Sequence, residues 1–234
     1  MGFLSNLLGG NPAGKALKAH NDGKYEEAMR LYEEAVQKGS RDYRLLNGYS
    51  VLLIRTSQFD KALEVIKQIE KLPKLTDKQK ASYRINYSII LAGKGHLDRA
   101  LEILENEFEH TKNSTLYSII GFLKIEKGDA DEALAFNQKA IEYDDEDPVF
   151  LENMGQVYYR LLGDKEAAKP YFEKALQFKP SAIDTNYFLA LYDIEAGDLN
   201  SAKDKLEISR KGFTSPLNYA TPKMIAEKIE EINR

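Results

Sequence analysis

The sequence of 234 residues predicts an all-α protein, namely a right-handed α-solenoid of six helix-turn-helix repeats followed by a C-terminal capping helix. Three observations carry this prediction: alanines at a nearly constant interval, a glycine or serine five residues before each, and another small residue about twelve residues before. The alanines are Ala28, Ala62, Ala100, Ala133, Ala168 and Ala202, at intervals of 34, 38, 33, 35 and 34 residues. A fixed period in this range is typical of stacked repeats.

Each repeat is predicted to be a pair of helices joined by a tight turn. The residue five before the alanine should adopt the left-handed conformation that ends a helix, which glycine does without a steric cost. These residues are Gly23, Ser57, Gly95, Gly128, Gly163 and Gly197. We expect each alanine to dock into the space left by the small residue of the first helix. The small residues are Ala16, Ser50, Ser88, Gly121, Gly155 and Ala190.

Taken in order along the chain, the predicted elements are an apolar N-terminal segment, six repeats and the capping helix. Their ranges are 1–10, then 11–40, 41–75, 76–112, 113–147, 148–180 and 181–213, then 214–234. Local signals place the helix starts: Asn11-Pro12, Asp147-Pro148 and Thr221-Pro222 each begin a helix, and Thr76 to Gln79 is a capping box. Lys179-Pro180-Ser181 is expected to end the fifth repeat and cap the sixth. A loop insertion at 71–76 accounts for the long second interval, and one extra residue lies near Leu161.

The fifth repeat carries the fullest pattern: Leu151-x2-Met154-Gly155-x2-Tyr158, then Ala168-x3-Phe172, Ala175 and Pro180. It resembles the tetratricopeptide repeat, although Leu151 stands where that family usually has tryptophan. The resemblance covers roughly residues 11–213. It implies that the first helices line a concave groove in which a segment of a partner protein binds.

Projection of the first helices onto this groove gives the candidate partner-binding residues. They are Asn47, Val51, Arg55, Ile85, Asn86, Ile89, Ser118, Phe122, Ile125, Asn153, Gln156, Tyr159, Tyr187, Leu191 and Ile194. This surface is expected to be largely apolar, as binding surfaces are. Asn86 and Asn153 occupy equivalent positions, and two interpretations remain open: their amides pair with the backbone of a bound peptide, or they bridge neighbouring helices.

Composition excludes several classes of function. The chain has no cysteine, a net charge of −4 and no basic surface of the kind that binds nucleic acid. No stretch reaches the ~20 apolar residues of a membrane span, so we expect a cytoplasmic protein. The apolar segment 1–10 offers three uses: a cap on the first repeat, a contact that forms homo-oligomers, or a membrane-surface contact that its lack of flanking cations disfavours.

The residue patterns of catalysis and metal binding are also missing. The three histidines lie in or beside turns without metal-binding spacing, and no phosphate-binding loop occurs. We therefore expect no enzyme activity, no metal and no cofactor. The leading hypothesis is an adaptor that binds a peptide segment or helix of another protein. The alternatives are a self-assembling scaffold and a peptide-sensing regulatory domain, and the sequence leaves open whether the groove holds the chain's own tail.

Overall fold

The computed structural model describes residues 12–212 and 214–233, and these residues form thirteen α-helices and no β-strand. The predicted apolar segment 1–10 and the predicted cap Asn11 lie outside the described residues. The helices are α1 (Pro12–Asn21), α2 (Tyr25–Gln37), α3 (Tyr43–Arg55), α4 (Phe59–Glu70), α5 (Asp77–Gly93), α6 (Leu97–His110), α7 (Ser114–Lys127), α8 (Ala130–Tyr143), α9 (Pro148–Gln156), α10 (Lys165–Phe178), α11 (Ile183–Glu195), α12 (Leu199–Lys211) and α13 (Pro222–Ile232).

The chain divides into two compact units, Met1–Ile103 and Leu104–Arg234, and α6 crosses the boundary between them. Within each unit the helices follow one another as pairs, a first helix and a second helix, joined by short turns. All six alanines that define the repeat lie on second helices and have no exposed surface. The all-α fold predicted from the repeat is therefore confirmed.

The turn inside each pair has the backbone conformation that the repeat predicts. All six turn residues have positive φ, and five of them are glycines. Ser57 is the exception, with φ of 56°. It sits in a Schellman turn, in which Ser57 N–H donates to Ile54 O at 2.9 Å and Gln58 N–H donates to Leu53 O at 2.8 Å.

Two of the small residues, Gly121 and Gly155, closely approach a side chain of the second helix. A Cβ atom on Gly155 would lie 2.7 Å from the ring of Phe172, and one on Gly121 would collide with Oδ1 of Asn137. Both neighbours stand four residues, one helical turn, after the repeat alanine. In these two repeats the small residue therefore makes room for that longer side chain, and the repeat alanine is also fully buried.

Three of the predicted helix starts are confirmed and one is wrong. Thr76 forms a capping box with Gln79, and Asp147 and Thr221 cap helices whose first turns contain proline. The predicted cap Ser181 does not cap α11, because the helix begins one residue later, after Ala182, whose side chain has no acceptor. A side chain of the preceding repeat supplies the acceptor instead, as described below.

The extra residue of the fifth repeat is absorbed by a change of helix type. After Gln156, helix α9 continues as a π-helical segment, Val157–Leu162, which ends at Gly163. A π-turn contains one more residue per turn than an α-turn, so the added residue fits without breaking the helix. The side chains of this segment, including Tyr159 and Arg160, are rotated as a result relative to an uninterrupted α-helix.

The capping helix covers the last repeat, as predicted. Ile225 is buried in one cluster with Ala190, Ala202 and Leu206, and Met224 and Ile229 pack at the edge of that cluster. An amphipathic helix thus packs on the sixth repeat, as a capping element of a solenoid does.

Replacing Ser57 by glycine is expected to raise the free energy of unfolding by about 0.5–1 kcal/mol, since a left-handed conformation is strained for any residue with a Cβ. Chemical denaturation followed by circular dichroism measures the change. The control is Ser118→Gly inside α7, which should lower stability by a similar amount. A loss of stability on Ser57→Gly would contradict the strain argument.

Candidate partner-binding site

In unit 1, Asn86 of α5 bridges two neighbouring first helices. Its Nδ2 donates to Oδ1 of Asn47 at 3.1 Å and to Oγ of Ser50 at 3.2 Å, both on α3. Ser82 Oγ also donates to Asn47 Oδ1, at 3.3 Å. Because both N–H groups of the Asn86 amide are used inside the protein and the residue is 7% exposed, its amide donors stabilise the stacking of these helices.

Asn153 likewise bridges two first helices in unit 2. It is 1% exposed, and its Nδ2 donates to the backbone oxygen of Ser118 at 3.0 Å, which joins α9 to α7. The equivalence of Asn86 and Asn153 in the sequence is thus matched by an equivalent bridging contact. Of the two interpretations left open by the sequence, the structure shows the internal bridge.

Seven of the fifteen candidate residues are buried among the described helices. They are Asn86, Ile89, Phe122, Ile125, Asn153, Gln156 and Tyr187. Their expected exposure to a groove is corrected: packing against neighbouring helices buries these side chains, and a projection of one helix does not include that packing. These seven side chains pack between helices, below the accessible surface.

The other eight candidates keep part of their surface accessible. We call Asn47, Val51, Arg55 and Ile85 the first-helix surface of unit 1, and Ser118, Tyr159, Leu191 and Ile194 the first-helix surface of unit 2. In unit 1 the guanidinium of Arg55 lies 5.3 Å from the ring centroid of Tyr25. A cation over an aromatic face is held in place without losing its accessibility.

In unit 2 an aromatic cluster surrounds the π-helical segment. The ring centroid of Tyr159 lies 5.0 Å from that of Phe188 and 5.7 Å from that of Tyr192, and Phe188 stacks on Phe172 at 4.8 Å. Lys165 Nζ lies 5.4 Å from the Tyr159 centroid. Burial raises the pKa of the Tyr159 hydroxyl, so this side chain acts at neutral pH as an uncharged aromatic with a hydroxyl group.

Two carboxylates that the sequence did not single out are central to unit 2. Glu152 Oε2 accepts from the backbone N–H and the hydroxyl of Thr185, at 2.8 and 2.6 Å. It therefore caps α11 from the neighbouring repeat and replaces the predicted cap Ser181. Asp184, fully buried in the first turn of α11, accepts the backbone N–H groups of Tyr219 and Ala220 at 2.8 and 3.0 Å. The available signal was an acidic residue inside the apolar run that begins at Ala182.

The two carboxyl groups titrate above their usual range. Burial, followed by the charge of Asp184, raises the pKa of Glu152 to about 8, against the hydrogen bonds of Thr185 and the charge of Lys179. Burial raises the pKa of Asp184 to about 6, against the N–H groups of Tyr219 and Ala220 and the charge of Arg160. Folding therefore favours the protonated form of both groups.

Chemical groups for other functions are not assembled in the described part of the chain. Over residues 12–212 and 214–233, no three acidic, histidine or cysteine side chains converge in a manner suited to a metal ion. Within the same ranges, no helix is both long enough and apolar enough to cross a bilayer.

Asn86→Ala is expected to lower the free energy of unfolding by about 1–3 kcal/mol, because Ser50 and Asn47 lose their amide donor inside the stack. Denaturant titration of the full chain measures it. The matched control, Asn200→Ala at an exposed position of α12, should change stability by no more than about 0.5 kcal/mol. Equal stability of the two variants would show that the amide of Asn86 does not hold the helices together.

Glu152→Gln is expected to stabilise the protein increasingly as the pH rises. A native pKa above the unfolded value means that the wild-type group favours folding below about pH 4.5 and loses that contribution up to about pH 8. Glutamine keeps the acceptor for Thr185 and has no proton to lose. Between pH 5 and pH 8.5 the advantage of the variant should grow by about 1–2 kcal/mol, or roughly 2–8 °C in Tm.

Thermal melts across this pH range provide the measurement, with Glu142→Gln as the control. Glu142 is exposed on α8, so its replacement should leave the pH dependence of Tm unchanged. Identical pH profiles for wild type and Glu152→Gln would contradict the shifted pKa.

Comparison with known proteins found matches to parts of the chain and to most of its length. Models described as tetratricopeptide repeat match residues 19–72 and 150–181. "Tetratricopeptide repeat protein 1" of Schizosaccharomyces pombe is 22% identical over 93% of this chain, which spans 20% of that protein. "BBSome complex member BBS4" of Bos taurus is 28% identical over 52% of this chain, which spans 23% of that protein. The chain thus spans about a fifth to a quarter of the length of these relatives.

Solved structures share the fold. The C-terminal part of a tetratricopeptide repeat-containing protein from Cytophaga hutchinsonii has a TM-score of 0.54 at 22% identity, over 83% of this chain and 76% of that one. The Cut9-Hcn1 hetero-tetramer of the APC/C has a TM-score of 0.66 at 15% identity, over 95% of this chain and 42% of the matched chain. The chain thus contains tetratricopeptide repeats at residues 19–72 and 150–181, and it shares the helical-repeat fold of these solved structures.

Proposed function

We propose that this protein is an adaptor that binds a peptide segment or a helix of a partner protein on the first-helix surfaces of its two units, without catalysing a reaction. One observation carries the proposal. In unit 2 a non-helical stretch of the chain, residues 214–220, already lies against first helices, with its backbone N–H groups on Asp184 and its Tyr219 ring on Phe188. The first helices of this unit therefore present the groups that hold a non-helical peptide.

The chemistry of the accessible side chains supports the same function. The first-helix surface of unit 2 combines the aromatic Tyr159 with the aliphatic Leu191 and Ile194, and that of unit 1 adds Val51 and Arg55. Aromatic and arginine side chains carry much of the energy at protein interfaces because they bury a large area at a small entropic cost. Serine and asparagine provide the few polar contacts that orient a bound segment.

Two of the similar proteins named above belong to protein assemblies. The bovine relative is a member of the BBSome complex, and the Cut9-Hcn1 structure is a hetero-tetramer. Those statements concern the two comparison proteins. For this chain they support partner binding as the general mode of action, while the buried and accessible residues above supply the proposed location.

The test is selection of binding peptides from a random display library on the full chain, followed by affinity measurement with two matched pairs of substitutions. We expect Leu191→Gln with Ile194→Gln, on the first helix α11, to weaken the selected peptides at least about tenfold. Leu199→Gln with Ile208→Gln removes the same apolar groups from exposed positions of the second helix α12 and should leave affinity unchanged.

Circular dichroism and Tm of each double variant establish that it is folded before affinity is compared. Two results would contradict the proposal: failure to select any peptide on the wild-type chain, or a larger loss of affinity from the second-helix pair than from the first-helix pair.

A further inference from the structure

The segment between α12 and α13 is held against unit 2 by its backbone. Residues 215–218 form a turn in which Asn218 N–H donates to Ser215 O at 3.0 Å. The next two residues, Tyr219 and Ala220, donate consecutive N–H groups to the two oxygens of the Asp184 carboxylate. A carboxylate that accepts two adjacent backbone amides recognises the course of a peptide chain rather than a particular sequence.

One side chain of this segment enters a prepared aromatic site. The Tyr219 ring stacks on Phe188, with a centroid distance of 5.2 Å and planes 17° apart. The guanidinium carbon of Arg160 lies 4.0 Å from the Tyr219 centroid. The ring thus makes a stacking contact and a cation–π contact, both of which any tyrosine or phenylalanine supplies.

Arg160 is fixed in position from within unit 2. Its Nη1 lies 2.7 Å from a carboxylate oxygen of Glu126 and donates to Oε1 of Gln156 at 2.9 Å. Arg160 belongs to the π-helical segment, so the extra residue of the fifth repeat contributes to its direction. An arginine held by two partners offers its face to a ring without further loss of side-chain freedom.

A buried polar atom beside this site lacks a partner. Gln156 has no exposed surface, and among the described residues its Nε2 meets no acceptor, although the other end of the same amide accepts from Arg160. An unpartnered buried donor is costly and rare in native proteins. Gln156 takes part in the site through Arg160, whose guanidinium its amide oxygen holds.

We propose that residues 215–220 are an internal ligand, and that the site formed by Asp184, Phe188 and Arg160 takes the same chemistry from a partner: a non-helical peptide with an uncharged aromatic residue followed by a small residue, and two consecutive free backbone N–H groups. The partner segment binds by displacing residues 215–220. This inference rests on the proposed function and adds to it the class of peptide and the regulation of access.

The test uses a synthetic peptide of residues 214–221, acetylated and amidated at its ends, and the same peptide with Tyr219 replaced by alanine. Binding to the full chain is measured by fluorescence anisotropy or calorimetry. Tyr219→Ala in the protein vacates the ring site, and we expect it to bind the tyrosine peptide at least about tenfold more tightly than wild type does. The alanine peptide should bind neither protein.

The control is Tyr143→Ala, which removes a tyrosine that is 49% exposed in another part of unit 2 and should leave peptide affinity at the wild-type value. A second measurement does not depend on the folding of a variant. In wild-type protein, millimolar tyrosine peptide should speed hydrogen exchange at the amides of Tyr219 and Ala220, because displacement removes their acceptor, whereas the alanine peptide should not.

The outcomes separate this inference from the proposed function. Equal affinity of wild type and folded Tyr219→Ala for the tyrosine peptide, or peptide binding without faster exchange at Tyr219 and Ala220, overturns the internal-ligand proposal. Formation of a dimer by wild type at the concentrations used, with residues 215–220 exchanged between copies, overturns it as well. If library peptides still bind and depend on Leu191 and Ile194, the adaptor function stands in each of these cases.

Discussion

The whole architecture depends on how closely the two helices of a pair approach. Six repeat alanines have no exposed surface, and a methyl group added at Gly121 or Gly155 on the first helices would collide with a neighbour. At Gly155 that neighbour is the fully buried Phe172, which stacks in turn on Phe188 of the next first helix. A small residue in one helix therefore sets the position of an aromatic ring between two repeats, and that ring supports the surface where Tyr159 and Tyr219 pack. Because packed interiors leave no space for an added carbon, this constraint is nearly absolute.

Periodic features of the chain could be predicted from sequence, and non-periodic features could not. The alanine spacing, the left-handed turn residues and the caps at Thr76, Asp147 and Thr221 follow from local rules that act within one helix pair. The burial of Phe122, Ile125 and Tyr187 depends on coverage by neighbouring repeats, which a helix projection does not contain. The capping of α11 by Glu152 joins residues 33 positions apart and has no local sequence pattern. Likewise, the sequence of residues 214–220 has no pattern that predicts the backbone hydrogen bonds to Asp184.

Departures from the repeat are concentrated in one region of unit 2. The extra residue near Leu161 forms a π-turn, the cap of α11 is supplied by another helix, and two carboxyl groups with raised pKa values lie in the same region. A chain selected only for a regular stack gains nothing from these features, since a buried carboxyl group that must hold a proton lowers stability as the pH rises. Sites where sequence rules fail in several ways at once are characteristic of function in otherwise regular folds. The clustering of these departures around Asp184, Arg160 and Tyr219 is therefore an argument, independent of any relative, for locating the partner site there.

An internal ligand also restricts what kind of partner can succeed. Residues 215–220 are tethered at both ends, to α12 and α13, and a short tether gives an effective concentration on the order of millimolar or above. A free peptide with identical contacts at micromolar concentration would occupy only about a thousandth of the sites, a deficit of about 4 kcal/mol.

A partner must recover that difference from contacts that the internal segment does not make. The accessible Leu191 and Ile194 are on the same helix as Asp184 and Phe188. A longer segment that reaches these two side chains in addition to the ring site would outcompete the tether at low concentration, whereas a short aromatic peptide would need millimolar concentration. Because residues 215–220 fill the site, a partner segment must make contacts beyond the ring site to bind. The site therefore selects an extended partner without reading further residues of its sequence.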